Sequence, residues 1–301
     1  MKKSKWGWIC SLCLVLAFSA PAFGQPKAKI SDAQQAAKEA KALEERTKRE
    51  QRNLELISSV DKNDSAAISK LLADGADANT RDREGMTPLM HAALLGNQDL
   101  VDLLLSKGAK VDLADNFGVT ALMQAAWSGH PHVVQTLISA GADPDVKSTV
   151  EVPSLRKKGT NALMGACMNG NLEVAQLLLS KNIKVNQQDG EGLTALMYTA
   201  RGGYPQLAEL LLSRGAKLEI KDQFGRTALT VATIYGNYDM VRLLVAAGAN
   251  VHVKDIHDMK PIVYASALDR GDIYKVLQAA MARKPANGNN VSFRRAPQQG
   301  L

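Results

Sequence analysis

The sequence is dominated by a 33-residue period. Gly-Ala pairs begin at Gly75, Gly108 and Gly141, spaced 33 residues apart, and again at Gly215 and Gly248 with the same spacing. Each pair closes a segment in which a turn leads to an Ala-rich stretch and then to a Leu-rich stretch. A fixed period of this length is typical of a solenoid of stacked supersecondary units, and it decides the architecture before any other feature is considered.

The clearest copies of the motif begin with Asp and end with Gly, at residues 82–96, 115–129, 189–203 and 222–236. A 33-residue period with Thr-Pro-Leu, Ala-Ala and Leu-Leu followed by Gly-Ala resembles the ankyrin repeat. The resemblance extends over about 53–281 and implies a helix pair and a projecting hairpin in each repeat. We therefore predict an all-α solenoid with short β-hairpin fingers, preceded by a signal peptide and a polar helix.

Each part of the motif has a physical role. We expect the Asp to accept hydrogen bonds from turn amides, the Gly after the second helix to be left-handed, and the Thr to cap the first helix. The capping residues are Thr87, Thr120, Thr194 and Thr227. The family's usual His is replaced by Met90, Met123, Met164 and Met197, for which internal packing is the preferred interpretation over copper chemistry. Repeat four departs most, with Asn161 in place of the Thr and Asn182 in place of the Gly.

The N-terminus resembles a secretory signal. Three lysines precede an apolar run of 15 residues at 6–20, and Ala22-Phe23-Gly24 offers small residues for cleavage. The run is short for a membrane span, which needs about 20 residues. We predict a signal peptide at 1–24 that is cleaved near Gly24, a periplasmic or fully secreted mature protein, and no membrane association after cleavage. An uncleaved N-terminal anchor is the alternative.

The remaining chain divides into three parts. Residues 25–53 form a polar Ala-rich helix whose predicted capping box is Ser31 with Gln34, and which is either solvated or a weak self-association helix. Residues 54–282 hold about seven repeats including caps, with eight extra residues inserted at 146–158. Residues 283–301 form a basic tail that we expect to be disordered.

Charge argues against nucleic acid as a partner. The chain has 37 basic and 30 acidic residues, but three basic residues precede Gly24 and four follow Ala282. The 30 basic residues left in the body balance the 30 acidic ones. A nucleic-acid-binding domain would carry a basic face on that body. We expect a monomer.

No catalytic constellation is evident, so we predict a protein that is not an enzyme and has no cofactor or metal. His130 and His132 lack a nearby Cys or carboxylate to complete a ligand set. Cys167 occupies a small core position and has no partner for an internal disulfide once the leader is removed. A metal- or redox-stress accessory protein is a minor alternative.

What remains is an interaction surface. By position, the resemblance places partner contacts on the hairpin tips and the concave ends of the first helices. These residues are Arg83, Met86, Phe117, Trp127, Lys157, Lys158, Met168, Arg201, Phe224, Arg226 and Tyr235. Trp127, Arg201 and Tyr235 are the strongest candidates, because Trp, Tyr and Arg dominate interface energies. We predict a non-catalytic scaffold that binds one or more proteins in the periplasm, with a secreted effector as the alternative.

Overall fold

The structure is a computed structural model that describes residues 28–150, 158–181 and 183–282. The predicted signal peptide, the basic tail, most of the insert with Lys157, and Asn182 lie outside the described residues. The described part consists of α-helices joined by turns and loops, without a β-strand, and one isolated bridge joins Ala114 to Thr120. The predicted hairpin fingers are therefore tight loops rather than paired strands.

The first helix, α1 (Ala28–Asp61), is longer than the sequence predicted. It begins before Ser31, so the proposed capping box lies inside the helix, and it continues without a break past position 53. Every residue of 34–50 is exposed, and i,i+4 pairs such as Arg46 with Glu50, at 3.1 Å, bridge adjacent turns. Contacts divide the chain after Glu50, so this exposed stretch and the array from Gln51 form separate units.

The array consists of helix pairs. The end of α1 and α2 (Ser65–Ala73) line a common groove and form the first pair. The remaining helices are α3 (Pro88–Leu95), α4 (Gln98–Ser106), α5 (Ala121–Ser128), α6 (Pro131–Ser139), α7 (Ala162–Met168), α8 (Leu172–Leu179), α9 (Ala195–Gly202), α10 (Pro205–Ser213), α11 (Ala228–Tyr235), α12 (Tyr238–Ala246), α13 (Pro261–Ala267) and α14 (Gly271–Ala282). The odd-numbered helices from α3 to α13 contact one another and form a first-helix layer. The even-numbered helices from α4 to α14 stack in the same way as a second-helix layer.

Side-chain caps fix where most first helices begin. The hydroxyls of Thr87, Thr120 and Thr194 accept the amide of the residue three positions later, and the Asn161 side chain does the same at 2.9 Å. The substitution in repeat four therefore keeps its cap. The prediction for Thr227 is wrong, because Thr230 occupies the usual Met position and the two hydroxyls lie 3.4 Å apart instead.

One apolar core runs through all the repeats. Its largest fully buried members include Leu89, Leu122 and Leu163 at the start of first helices, Met90 and Met164 beside them, and Leu104, Leu137 and Leu178 in second helices. Met90, Met123, Met164 and Met197 are all buried, which confirms internal packing for the Met positions. The predicted left-handed glycines are also confirmed, with φ of 85° at Gly108 and 92° at Gly141.

Candidate partner-binding surface

Each repeat projects a finger, the loop that runs from a finger Asp to the residue that caps the first helix. At Asp82 the Oδ1 atom accepts the amides of Glu84 and Met86, at 2.9 and 2.8 Å. Asp115, Asp189, Asp222 and Asp255 repeat this arrangement. The carboxylate satisfies two loop amides that no helix or strand would pair, and so it holds the finger in one conformation.

The second carboxylate oxygen ties the finger to the helix behind it. Asp82 Oδ2 lies 3.0 Å from His91 Nε2, and the hydroxyls of Tyr198 and Tyr264 donate to Asp189 and Asp255. In repeat six the helix position is Val231, and Arg226 supplies the bond to Asp222 instead, at 2.7 Å. This bond anchors the finger to its first helix in repeats two, five and seven, whereas in repeat six it stays within the finger.

Neighbouring fingers are also joined to one another. The amides of Asn116, Gln223 and Ile256 donate to carbonyls of the preceding finger at 2.9–3.0 Å. Beneath them, long side chains reach the equivalent backbone carbonyl of the next repeat: Arg81 reaches Ala114, Lys147 reaches Gln188, Gln188 reaches Lys221, and Lys221 reaches Lys254. The fingers therefore form one continuous edge.

Repeat four interrupts this pattern. Ser148 replaces the finger Asp, and Gly165 replaces the residue that would pair with it. Thr149 donates to Phe117 O at 2.8 Å, and Lys158 O accepts the Gly190 amide. Thr149 and Lys158, at the two ends of the inserted segment, therefore both lie on the finger edge, and Lys158 is exposed.

The C-terminal ends of the first helices form a row across the array. Leu94, Leu95 and Leu268 are exposed there, while Trp127 and Ile234 are half-buried. The indole of Trp127 packs over the next repeat, where a Cβ at Gly165 would lie 3.6 Å from the ring. This row gives the surface an apolar stripe that crosses successive repeats.

Two cation–aromatic pairs lie on this surface. The Arg201 guanidinium lies 5.2 Å from the ring centre of Tyr235, which is 46% exposed. Arg226 lies 4.6 Å from the ring of Phe224 while it also pairs with Asp222. Each pair holds an aromatic ring in place and leaves part of it open to solvent, which is typical of residues that anchor an interface.

The structure corrects part of the predicted surface. Met86 is only 8% exposed and belongs to the core, so we remove it from the partner contacts. The position just before the capping residue turns inward, as it does at Val119 and Leu193. Phe117 and Met168 are half-buried against the core. Arg83, Lys158, Arg201, Phe224 and Tyr235 are exposed, and Lys157 lies outside the described residues.

Several surface residues escaped the sequence analysis. Leu94, Ile234 and Leu268 are on the helix-end row, and Ile256 is an exposed side chain on the last finger. The spacing alone could have identified the first three, because they recur at the positions of Trp127 or Tyr235.

The residues available for chemistry are limited. In the described ranges, no group of three or more His, Cys, Asp or Glu side chains could hold a metal ion. His130 Nε2 lies 3.1 Å from Leu94 O and so links two repeats. Burial raises the pKa of the Cys167 thiol, which therefore stays protonated and poorly nucleophilic. Across the same ranges, no helix has the length and apolar character that a membrane span requires.

Comparison with known proteins agrees with this geometry. A model of three consecutive ankyrin repeats matches residues 56–148 and 149–222, and a single-repeat model matches 224–256. The chain belongs to the ankyrin repeat family. Ankyrin arrays typically bind other proteins on their extended surface and are non-catalytic scaffolds. A search of curated proteins finds no match.

Two solved structures show what this ankyrin protein is similar to. The human ASB11 ankyrin repeat domain superposes with a TM-score of 0.67 and 22% identity, over 77% of this chain and 99% of that one. That likeness concerns the fold alone. The second is a chain from the complex of the predatory endopeptidase Bd0816 of Bdellovibrio bacteriovorus with the immunity protein Bd3460. It is 36% identical, with a TM-score of 0.58, over 64% of this chain and 96% of that chain.

Proposed function

We propose that this protein is a non-catalytic scaffold that binds a protein partner in the periplasm through its finger edge and helix-end row. The observation that carries the proposal is the pair formed by Arg201 and Tyr235. Both side chains are exposed, they come from adjacent repeats, and each holds the other in place at 5.2 Å. A rigid aromatic ring of this kind contributes contact area at a low cost in conformational entropy.

The surface around this pair fits a protein better than a small molecule. The apolar row crosses several repeats at the C-terminal ends of the first helices, and exposed polar finger residues such as Arg83, Asn116, Lys158 and Gln223 lie before the N-terminal ends of those helices. An apolar centre with a polar rim is the usual anatomy of a protein interface. The 36% identical neighbour supports the same class of role, since it was solved in a complex of two proteins. Because that complex contains an endopeptidase, an enzyme is the first class of partner to test.

The location rests on the sequence of the leader. The basic start, the apolar run at 6–20 and the small residues before Gln25 favour export with cleavage near Gly24. Cell fractionation and N-terminal sequencing test this directly: we expect a mature protein that begins near Gln25 in the periplasmic fraction. Recovery mainly from the culture medium would favour the secreted alternative, and a retained leader would favour the anchor.

Affinity capture from periplasmic extract tests partner binding. The mature protein, an Arg201→Ala/Tyr235→Ala variant and an Arg242→Ala/Tyr238→Ala variant serve as baits. The control pair is also a guanidinium beside a ring, at 5.6 Å, but it lies on α12 in the second-helix layer. We expect a partner that is lost with the first variant and kept with the second. A partner retained equally by all three baits would move the binding site away from this surface.

A further inference from the structure

A groove crosses the second-helix layer at the C-terminal end of the array. It has a volume of about 560 Å³ and runs from α10 across α12 to α14. Its floor includes Ala246, Val276 and Ala280, which are small or medium apolar side chains. A chain segment could therefore lie close to the helix backbones without displacing any large side chain.

The rim of this groove is mainly acidic. Glu209 on α10 and Asp239 on α12 border it, and both are exposed. Neither carboxylate has an ion-pair partner within the described residues. One basic residue, Arg242, also lines the groove, and its guanidinium lies 5.6 Å from the ring of Tyr238. The groove thus combines an apolar floor with a net negative rim.

The chain beyond the last helix has the complementary chemistry. Helix α14 ends at Ala282, two residues after Ala280 on the groove floor. Residues 283–301 contain four basic side chains, no Asp or Glu, and the sequence Phe293-Arg294-Arg295. The eleven steps from Ala282 to Phe293 reach up to about 36 Å when extended. The two interhelix spacings from α14 to α10 amount to only about 20 Å.

We propose that the C-terminal tail folds back into this groove. Phe293 would cover the apolar floor at Ala246 and Val276, while Arg294 and Arg295 would pair with Glu209 and Asp239. The docked tail joins repeat seven to repeat five, a connection that a solenoid otherwise lacks because each repeat contacts only its neighbours. The tail lies on the second-helix layer and leaves the finger edge open, so this inference is independent of the proposed partner binding.

Two measurements on the full chain test the docking. The first is the rate of trypsin cleavage after Arg294 and Arg295, followed by mass spectrometry. The test variant is Glu209→Lys/Asp239→Lys, and the matched control is Asp99→Lys/Asp102→Lys, which places the same charges at the equivalent helix positions of repeat two. We expect cleavage about fivefold faster in the test variant, since two exposed ion pairs are lost, and an unchanged rate in the control.

The second measurement is backbone hydrogen exchange in α14. Shortening the chain to residues 1–282 should speed exchange across Ile273 and Leu277 by about fivefold and leave α4 unchanged. Adding Arg294→Glu/Arg295→Glu to the Glu209→Lys/Asp239→Lys variant should restore slow exchange, because the charges again attract. Equal cleavage rates in the native protein and the test variant would overturn the proposal. So would an exchange rate in α14 that is the same in the full chain and in the chain shortened to residues 1–282.

Discussion

The hydroxyl of Tyr198 donates a 2.6 Å hydrogen bond to Oδ2 of Asp189, and both side chains are buried where the finger of repeat five meets its first helix. Oδ1 of the same Asp holds two amides of the finger. The Asp189 carboxylate therefore depends on the phenol to satisfy its remaining oxygen.

The Tyr198→Phe variant should be less stable by about 1–2 kcal/mol, because it leaves a buried carboxylate oxygen without its donor. Urea unfolding followed by circular dichroism measures the difference. Tyr264→Phe is the matched control, since Tyr264 makes the same bond to Asp255 at the exposed end of the array. We expect a smaller loss there because water can replace the hydroxyl. A larger loss for Tyr264→Phe would contradict this account.

The stability of the protein should also fall in alkali, because Tyr198 and Tyr264 are more easily deprotonated in the unfolded chain than in the folded protein. Burial raises the pKa of Tyr198, and its bond to Asp189 raises it further. Burial and the bond to Asp255 raise the pKa of Tyr264 to about 12. A folded-state pKa above the unfolded value of about 10 gives stability that is complete below pH 10 and is lost as the pH rises above it.

From about pH 10 to about pH 12, the melting temperature of the native protein should fall more steeply than that of a Tyr198→Phe/Tyr264→Phe variant. Tyr238→Phe, which alters an exposed phenol on α12, is the control for loss of a hydroxyl. Parallel pH profiles for native protein and double variant would show that these phenols do not account for the alkaline loss.

Repeat four can be strengthened at Gly165. This residue is buried within α7, and a Cβ added there would lie 3.6 Å from the Trp127 ring, in ordinary contact. Because Gly in a helix interior costs about 0.5–1 kcal/mol relative to Ala, Gly165→Ala should raise stability by that amount. Thermal and urea unfolding measure the change.

The control for this substitution is Gly170→Ala, only five residues away. Gly170 has φ of 73°, and a Cβ there would lie 2.6 Å from the ring of Tyr204. This variant should lose about 1 kcal/mol or more, since an L side chain is strained in the left-handed region. A destabilised Gly165→Ala protein would mean that the packing of Trp127 over repeat four differs from the geometry described.

The row of side chains that reach from one repeat to a backbone carbonyl of the next is interrupted at Ala114. Arg81 reaches Ala114 O, but Ala114 has no side chain to reach Lys147 O in turn. At the equivalent position, Gln188 donates to Lys221 O at 3.0 Å. Ala114→Gln should therefore add one inter-repeat bond and about 0.5 kcal/mol of stability, whereas Gln188→Ala should lose about twice as much, because Gln188 also donates to Gly192 O within its own finger. If Ala114→Gln does not raise the free energy of unfolding while Gln188→Ala clearly lowers it, the backbone around Ala114 does not allow this hydrogen bond in repeat three.

Sequence reasoning succeeded where the repeat dictates the environment. The period located the helix pairs, the capping role of Thr87, the left-handed Gly108 and the burial of Met90. All of these follow from the local chain, which is the same in every copy.

Sequence reasoning failed where the role of a side chain depends on residues outside the repeat motif. Thr227 loses its capping role because Thr230 replaces a Met, and Met86 turns inward although its finger is exposed. The contact of Arg201 with Tyr235 joins residues from different repeats, so their separation in sequence concealed it. The prediction ended the polar helix at residue 53, where repeat-like apolar spacing begins, but α1 runs through both stretches as one helix.

The central claim is that a protein partner contacts the helix-end row. Photo-crosslinking in the producing cell tests it most directly, with a photoreactive residue in place of Tyr235 in one strain and of Tyr238 in another. Both positions are exposed aromatic residues of repeat six beside an arginine, but they lie on α11 and α12 respectively. We expect a crosslinked protein adduct from position 235 and none from position 238. An adduct from position 238 alone, or equal adducts from both, would contradict it.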